Sequence, residues 1–247
     1  SGQNKPDTGI TSISNLTSLK YYISKTQYIS IYNKSSYQDL INGVGGSSPG
    51  IQFFSEYKKR ELDIHLKRIF RLPTMNDLFW SPGGNPNLIP ESGWDLKASF
   101  SLQNKHNIFK FEAFAGRLNN GIIWRPNGLF WQPINEFLIT RYGINSSWQV
   151  IWPSQFVQFE IQALQSQNAD NLPIPYSTPF RLRMIYSKQI QFGKLGFMGL
   201  YQIGVPTLWT TNRSTDLPNC SNLSLFYENK IFEFKNKSSI ETRIRLE

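Results

Sequence analysis

From Trp94 to Leu102 the chain alternates strictly. Trp94, Leu96, Ala98, Phe100 and Leu102 share one parity, and Asp95, Lys97, Ser99 and Ser101 share the other. Successive side chains of an extended strand point to opposite faces, so this run predicts a strand with one apolar and one polar face. The next run repeats the pattern, with Phe109, Phe111, Ala113 and Ala115 against Lys110 and Glu112. The polar stretch Asn104 to Asn107 between them predicts an antiparallel hairpin. An earlier hairpin has arms Ile51–Tyr57 and Glu61–Phe70 joined by Lys58 to Arg60. In its second arm Leu62, Ile64 and Leu66 face one way, and Asp63, His65 and Lys67 the other. Further strands are expected over Leu19–Ser24, Gln27–Asn33, Phe137–Val150, Gln155–Gln165, Phe180–Ile190, Leu195–Trp209, Leu223–Phe232 and Ser239–Leu246. That makes about a dozen strands. No segment carries a convincing helical period; Ser36 to Leu40 has room for one turn.

The connections alternate in length. Short ones are Lys25-Thr26, Lys58 to Arg60, Asn104 to Asn107, Trp152 to Ser154, Gln191 to Lys194 and Lys235 to Lys237. Long ones are Asn42 to Gly50, Leu72 to Ser92, Trp124 to Asn135, Ser166 to Pro179 and Thr210 to Asn222. Short turns at one end and long loops at the other match transmembrane β-barrels, where the long loops face outside. A soluble β-sandwich also has loops at two ends, but not this regular alternation. Trp124, Phe130 and Trp131 near loop ends, with Trp148 and Trp152 near a short turn, suit two interfacial aromatic girdles; the alternative is that they fill a core. The fold class expected is therefore all-β, a large antiparallel transmembrane barrel present in part.

Composition sharpens this. Aromatic residues are 15% of the chain and charged residues only 17%, against about 25% charged in soluble domains. Mean hydropathy is −0.38, and no run approaches the roughly 18 apolar residues of a transmembrane helix. A barrel reconciles the two, because only alternate residues meet lipid. The net charge of +9 is spread singly along the chain, with Lys58-Lys59-Arg60 the longest basic run; nucleic acid is not expected as a partner. A single cysteine, Cys220, excludes an internal disulfide framework and is read as inert. Two histidines, His65 and His106, are too few for a His-based metal site. The chain begins at Ser1 and stops inside an alternating run, Ile240 to Glu247. Both ends read as cuts in a longer parent that carried the export signal.

At Arg71 a family resemblance begins. Arg71-Leu72-Pro73-Thr74-Met75-Asn76-Asp77-Leu78-Phe79-Trp80, followed by Gly84-Asn85-Pro86-Asn87-Leu88-Ile89-Pro90-Glu91, resembles a barrel segment of TonB-dependent receptors. Gly83 and Gly84 permit a sharp loop, and Pro86 and Pro90 stiffen the return. Asn119 to Pro126 with Trp131 to Asn135, Leu172 to Arg181, Thr210 to Asn212 with Leu217-Pro218, and Glu241 to Glu247 resemble later segments of that family in the same order. The resemblance runs from about Ile51 to the end and is nearest to cobalamin and siderophore receptors of Bacteroidota. Ile89, Asn145 and Phe180 depart from residues usual there. The resemblance implies a single partial barrel domain over 1–247, of about a dozen strands, with plug domain, TonB box and last strand absent.

The function it implies is import of a scarce, bulky nutrient, cobalamin or an iron siderophore, across a bacterial outer membrane. The partners implied are outer-membrane lipid, a small-molecule cargo, and the TonB complex acting through the missing plug. No cofactor and no enzyme activity are expected, since there is no Ser-His-Asp set, paired-acid site or phosphate loop. Asp63 and His65 share a face but read as lumen lining. Inward Lys and Arg would suit an anionic cargo, although any polar lumen contains charges. Cargo contact is expected at Arg71, Asn76, Asp77, Trp80, Trp124, Arg125 and Trp131. The alternative reading makes Arg71 to Glu91 a structural brace. Two other functions stay open: a barrel without a plug, acting as pore or surface receptor, and a soluble β-rich module whose aromatics stack on sugars.

Overall fold

The computed structural model describes residues 12–39, 43–210, 213–233 and 239–246. Among them are fourteen strands and one short helix. Twelve strands form one antiparallel sheet: β1 (Ser12–Ser24), β2 (Gln27–Gln38), β3 (Val44–Tyr57), β4 (Arg60–Arg71), β5 (Glu91–Gln103), β6 (Asn107–Asn127), β7 (Phe130–Trp152), β8 (Gln155–Asn168), β9 (Phe180–Ile190), β10 (Gly193–Gln202), β13 (Cys220–Glu233) and β14 (Ser239–Leu246). Neighbours in the sheet follow chain order, and β1 and β14 stand at its two ends. Between β10 and β13, β11 (Pro206–Thr210) and β12 (Arg213–Asp216) form a separate hairpin. The helix α1 (Met75–Phe79) lies between β4 and β5.

Period-two patterning located β4 and β5 because each has one apolar and one polar face. The burial is inverted relative to a soluble protein. On β4, Leu62, Ile64 and Leu66 are exposed, while Asp63, His65 and Lys67 are half-buried. Trp94 and Leu96 on β5 are likewise exposed, and Asp95 and Lys97 are not. Buried hydrophobic side chains among the described residues are few: Leu78, Leu88, Ile139 and Val150. A solvated sheet would hide those apolar stripes against a second layer.

The chain folds as two compact units. One comprises Ser1–Phe53, His65–Leu96 and Gly116–Ile139; the other comprises Phe54–Ile64, Lys97–Ala115 and Thr140–Glu247. Strands β3 to β7 contribute residues to both.

Four sequence expectations are corrected. The long loop expected over Trp124 to Asn135 is strand on both sides of a two-residue turn, Gly128-Leu129, with Gly128 at φ +65°. Pro126 and Pro133, inside that stretch, both sit within strands, and Pro133 is fully buried. The helical turn lies at Met75–Phe79, whereas Ser36 to Gln38 end β2. The expected strand Leu195–Trp209 breaks at residues 203–205 into β10 and β11. The loop expected over Asn42 to Gly50 is mostly β3, which begins at Val44. The turn expected at Lys235 to Lys237, together with Leu40 and Asn42, lies outside the described residues.

Strands β6 and β7 run for 21 and 23 residues, about twice the 9–11 residues that cross a bilayer. Trp148 and Trp152, at the short-turn end of β7, are exposed, so neither fills a core. No helix among the described residues is long and apolar enough to cross a membrane, which says nothing about strands.

Candidate functional site

The loop-bearing unit is organised around two buried carboxylates. Thr74 and Asp77 form a capping box on α1. Thr74 Oγ1 accepts from the Asp77 backbone N–H at 3.2 Å, and Asp77 Oδ2 accepts from the Thr74 N–H at 2.9 Å and its hydroxyl at 2.8 Å. These interactions fix the start of a helix only five residues long. The other oxygen, Asp77 Oδ1, accepts from Trp124 Nε1 at 3.2 Å, and Arg71 Nη1 lies 3.7 Å from Oδ2. Glu91 is the second. Its Oε2 accepts from Arg71 Nε, and its Oε1 accepts from the Ile122 backbone N–H at 2.6 Å. Arg71 thus bridges both acids at the point where β4 becomes loop. Buried charges persist when paired and hydrogen-bonded in this way.

The return of the loop is clipped to the β6–β7 hairpin. Asn135 Oδ1 accepts from the Ile89 N–H at 2.9 Å, and its Nδ2 donates to the carbonyls of Ile89 at 2.9 Å and Asn120 at 2.8 Å. Asn120 presents that carbonyl from φ +54°, an irregularity inside β6. Asn85 Nδ2 donates to the Pro133 carbonyl at 3.0 Å, and the Asn85 N–H to the Asp77 carbonyl at 2.8 Å. Gly83 is packed so closely that a Cβ there would lie 1.8 Å from the Trp131 carbonyl oxygen. No side chain fits in that gap.

The seven residues expected to meet cargo separate into two sets. Arg71, Asp77 and Trp124 belong to the hydrogen-bonded network, and Trp80 joins it through an edge-on ring contact with Trp124 at 5.5 Å. Arg125 donates from Nη2 to Glu136 across the hairpin. Asn76, Trp80 and Trp131 keep exposed side chains. Sequence reasoning did not single out Glu91, Asn135 or Glu136. Glu91 and Asn135 close two of the family-like segments, and that position was the available signal.

The second unit carries a polar cluster of another kind. A cavity of about 530 Å³ is lined by, among others, Asp63, Ser101, Glu112, Asn145, Glu160 and Arg183. Its ion pairs run between strands: Lys97 to Glu112 at 2.8 Å and Arg183 to Glu160 at 3.3 Å, the latter between residues directly opposite in the β8–β9 register. Asn145 Nδ2 also donates to Glu112 at 3.0 Å. Most of these side chains are partly exposed, and neighbouring charges answer one another. His65, on β4 in the first unit, accepts or donates at Nε2 opposite the Tyr32 hydroxyl. Among the described residues, no group of three or more His, Cys, Asp or Glu is placed to hold a metal ion. Cys220 is free and exposed.

An antiparallel sheet with apolar side chains outward, polar ones half-buried and long loops braced at one end has the architecture of a transmembrane β-barrel. Solved structures agree, and among them are TonB-dependent receptors. The chain superposes on the copper transporter OprC with a TM-score of 0.74 over 90% of its length, at 10% identity. It matches the siderophore receptor PirA of Acinetobacter baumannii equally well, at 9% identity. The ferric enterobactin receptor PfeA of Pseudomonas aeruginosa gives 0.73 over 94% of the chain at 12% identity. At such identities the likeness establishes the fold alone: a large part of a transmembrane β-barrel. In sequence, 71 residues are 31% identical to the vitamin B12 transporter BtuB of Photobacterium profundum, and 68 are 32% identical to that of Vibrio vulnificus. Those matches span 12% and 11% of the relatives, and the chain covers about 40% of the superposed receptors. No family model matches.

Proposed function

We propose that this chain is part of the barrel of a bacterial outer-membrane receptor that imports a scarce, bulky nutrient with energy delivered through TonB. The observation that carries this reading is the superposition of 90% of the chain on the barrels of proteins named as metal transporters and siderophore receptors. Inverted burial along β4 and β5 supports it, since exposed Leu62, Ile64, Leu66, Trp94 and Leu96 suit lipid. Cobalamin, ferric siderophores and copper are among the cargoes named for the relatives and the superposed structures.

In this reading the loop site divides its labour. Asn76, Trp80 and Trp131 reach toward the cargo, and Arg71, Asp77, Trp124 and Arg125 hold them in place. The process is binding and passage, with no covalent step, so the protein is not an enzyme. Outer-membrane lipid surrounds the strands, and the TonB complex acts through a plug domain.

Deleting the gene tests this, with uptake of labelled cobalamin and of radio-iron siderophores followed under limitation. Loss of one uptake activity, mimicked by a protonophore in the parent strain, is the expected result. Uptake that is unchanged for every cargo, or that ignores the protonophore, would point instead to a passive pore. The double variant Trp80→Ala/Trp131→Ala in the whole receptor should weaken cargo binding about tenfold or more, the scale of exposed aromatic anchors.

A further inference from the structure

Strand register brings two arginines to either side of an exposed tryptophan. Between β4 and β5, the Gln103 N–H donates to the Lys59 carbonyl at 2.8 Å, the Ser101 hydroxyl donates to Glu61 at 3.1 Å, and Lys67 pairs with Asp95 at 3.9 Å. Along these pairs one residue number rises as the other falls in step, so the strands run together without a bulge and Arg68 stands opposite Trp94. Between β5 and β6, the Asn104 N–H donates to the Asn107 carbonyl at 2.7 Å, and a Cβ on Gly93 would lie 2.9 Å from Leu118 Cα. Gly93 thus faces Leu118, and Trp94 faces Arg117. Arg68, Trp94 and Arg117 form a row across three strands, and all three belong to the first compact unit. The strand spacing of about 4.8 Å sets the two arginines roughly 10 Å apart.

The row lies on the apolar face. Arg68 continues the parity of Ile64 and Leu66 on β4, Trp94 that of Leu96 on β5, and Arg117 that of Ala113 and Ala115 on β6. Asp95, Lys97, Lys110 and Glu112 take the opposite parity. All three side chains of the row are exposed. Neither guanidinium meets a carboxylate among the described residues. A charge on a lipid-facing surface is costly at mid-depth and tolerated at the headgroup level, where tryptophan also gathers. The stretch of β6 from Asn107 to Arg117 has the length, roughly 9–11 residues, that crosses a bilayer. The row therefore marks the end of the apolar band nearer the long loops. Guanidinium groups at that level find phosphate, which they bind with two parallel hydrogen bonds.

We propose that the row Arg68–Trp94–Arg117 binds the phosphate of an anionic membrane lipid in the leaflet on the long-loop side. The guanidinium groups hold the phosphate, the indole lies under the headgroup, and the acyl chains run along Leu66 and Leu96. The inference rests on the reading of the sheet as membrane-spanning and adds lipid selectivity at one end of it.

The test uses the whole receptor in detergent, titrated with short-chain phosphatidylglycerol, short-chain phosphatidylcholine and inorganic phosphate, with bound molecules counted by native mass spectrometry. Retention of phosphatidylglycerol well above the other two is expected. The variant Arg68→Gln/Arg117→Gln should lose that preference by roughly 25-fold, since each basic residue at an anionic surface contributes about fivefold. The variant Lys67→Gln/Lys110→Gln removes two cations from the opposite face of the same two strands and should behave as the parent. Equal retention of the two lipids, or an unaltered arginine variant, overturns the proposal. So does an equal loss in the lysine variant, which would reduce the preference to net charge. Phosphate binding as strong as phosphatidylglycerol binding overturns the lipid assignment in favour of a free-anion site. Alkaline carbonate washing of native membranes tests the membrane reading separately. Release of the protein there sinks that reading, whereas a protein that resists carbonate and holds both lipids equally refutes the arginine row alone.

Discussion

The two polar clusters of this molecule are built on opposite plans. In the loop-bearing unit, Asp77 and Glu91 are almost fully buried, and each carboxylate oxygen has its own donor: a backbone N–H, an indole, a hydroxyl or Arg71. In the other unit, Glu112 and Glu160 pair with Lys97 and Arg183 across strands, in positions open to solvent. The first is a lattice of unique partners, in which removing one strands several others. The second is a field of interchangeable charges. A buried, fully satisfied carboxylate fixes one conformation, whereas an exposed pair contributes little.

Substitutions that strike only one cluster break this contrast. The largest effect is expected from Asp77→Ala, which removes the side-chain half of the capping box (the acceptor of the Thr74 N–H and hydroxyl), the Trp124 hydrogen bond and the Arg71 partner. It should destabilise the loop by about 3 kcal/mol or more, at 1.5–3 kcal/mol per charge-assisted bond. Limited proteolysis of the folded protein should then cut between residues 72 and 90, where the parent resists. Gly83→Ala comes next. A Cβ directed at the Trp131 carbonyl forces the loop off the hairpin, at about 1–3 kcal/mol by the scale of overpacking. The same protease assay reads it, and an unchanged pattern would show that the loop is not held at this point. Asn135→Ala removes three hydrogen bonds to Ile89 and Asn120 and should cost about 1–2 kcal/mol, less than their sum because water reaches the exposed groups. The smallest effect belongs to the other cluster. Glu160→Gln should lower the unfolding free energy read from a urea titration by less than about 1 kcal/mol. If it matched Asp77→Ala, the contrast between the two clusters would be false.

Much of the sheet was legible because alternation is a direct imprint of strand geometry. Leu62 to Lys67 and Trp94 to Leu102 state their faces residue by residue. Hairpin ends were less legible where punctuation conflicted. Asn127-Gly128 is a strong short-turn signal, and the observed turn falls one residue on, at Gly128-Leu129, flanked by Pro126 and Pro133, residues strands rarely hold. In the fold these prolines occupy strand positions, so β6 and β7 continue past them. The helix α1 was missed although Thr74-x-x-Asp77 spells a capping box, because a single turn has no room for a helical period. The brace itself was out of reach. Which carboxylate meets Arg71, and which carbonyls Asn135 finds 15 and 46 residues away, depends on strand register that no local pattern records.

The β6–β7 tip has a further consequence. Leu129 is 104% exposed, and a Cβ on Gly128 would meet nothing within 4 Å. The clips at Asn135, Pro133 and Asn120 all lie further down the hairpin. Length added between Gly128 and Leu129 therefore extends a lever without disturbing its fulcrum. An epitope tag spliced there should leave the braced loop intact, and on the proposed outer-membrane reading antibody should reach it on unpermeabilised cells, so this tip has room for the chain to diversify.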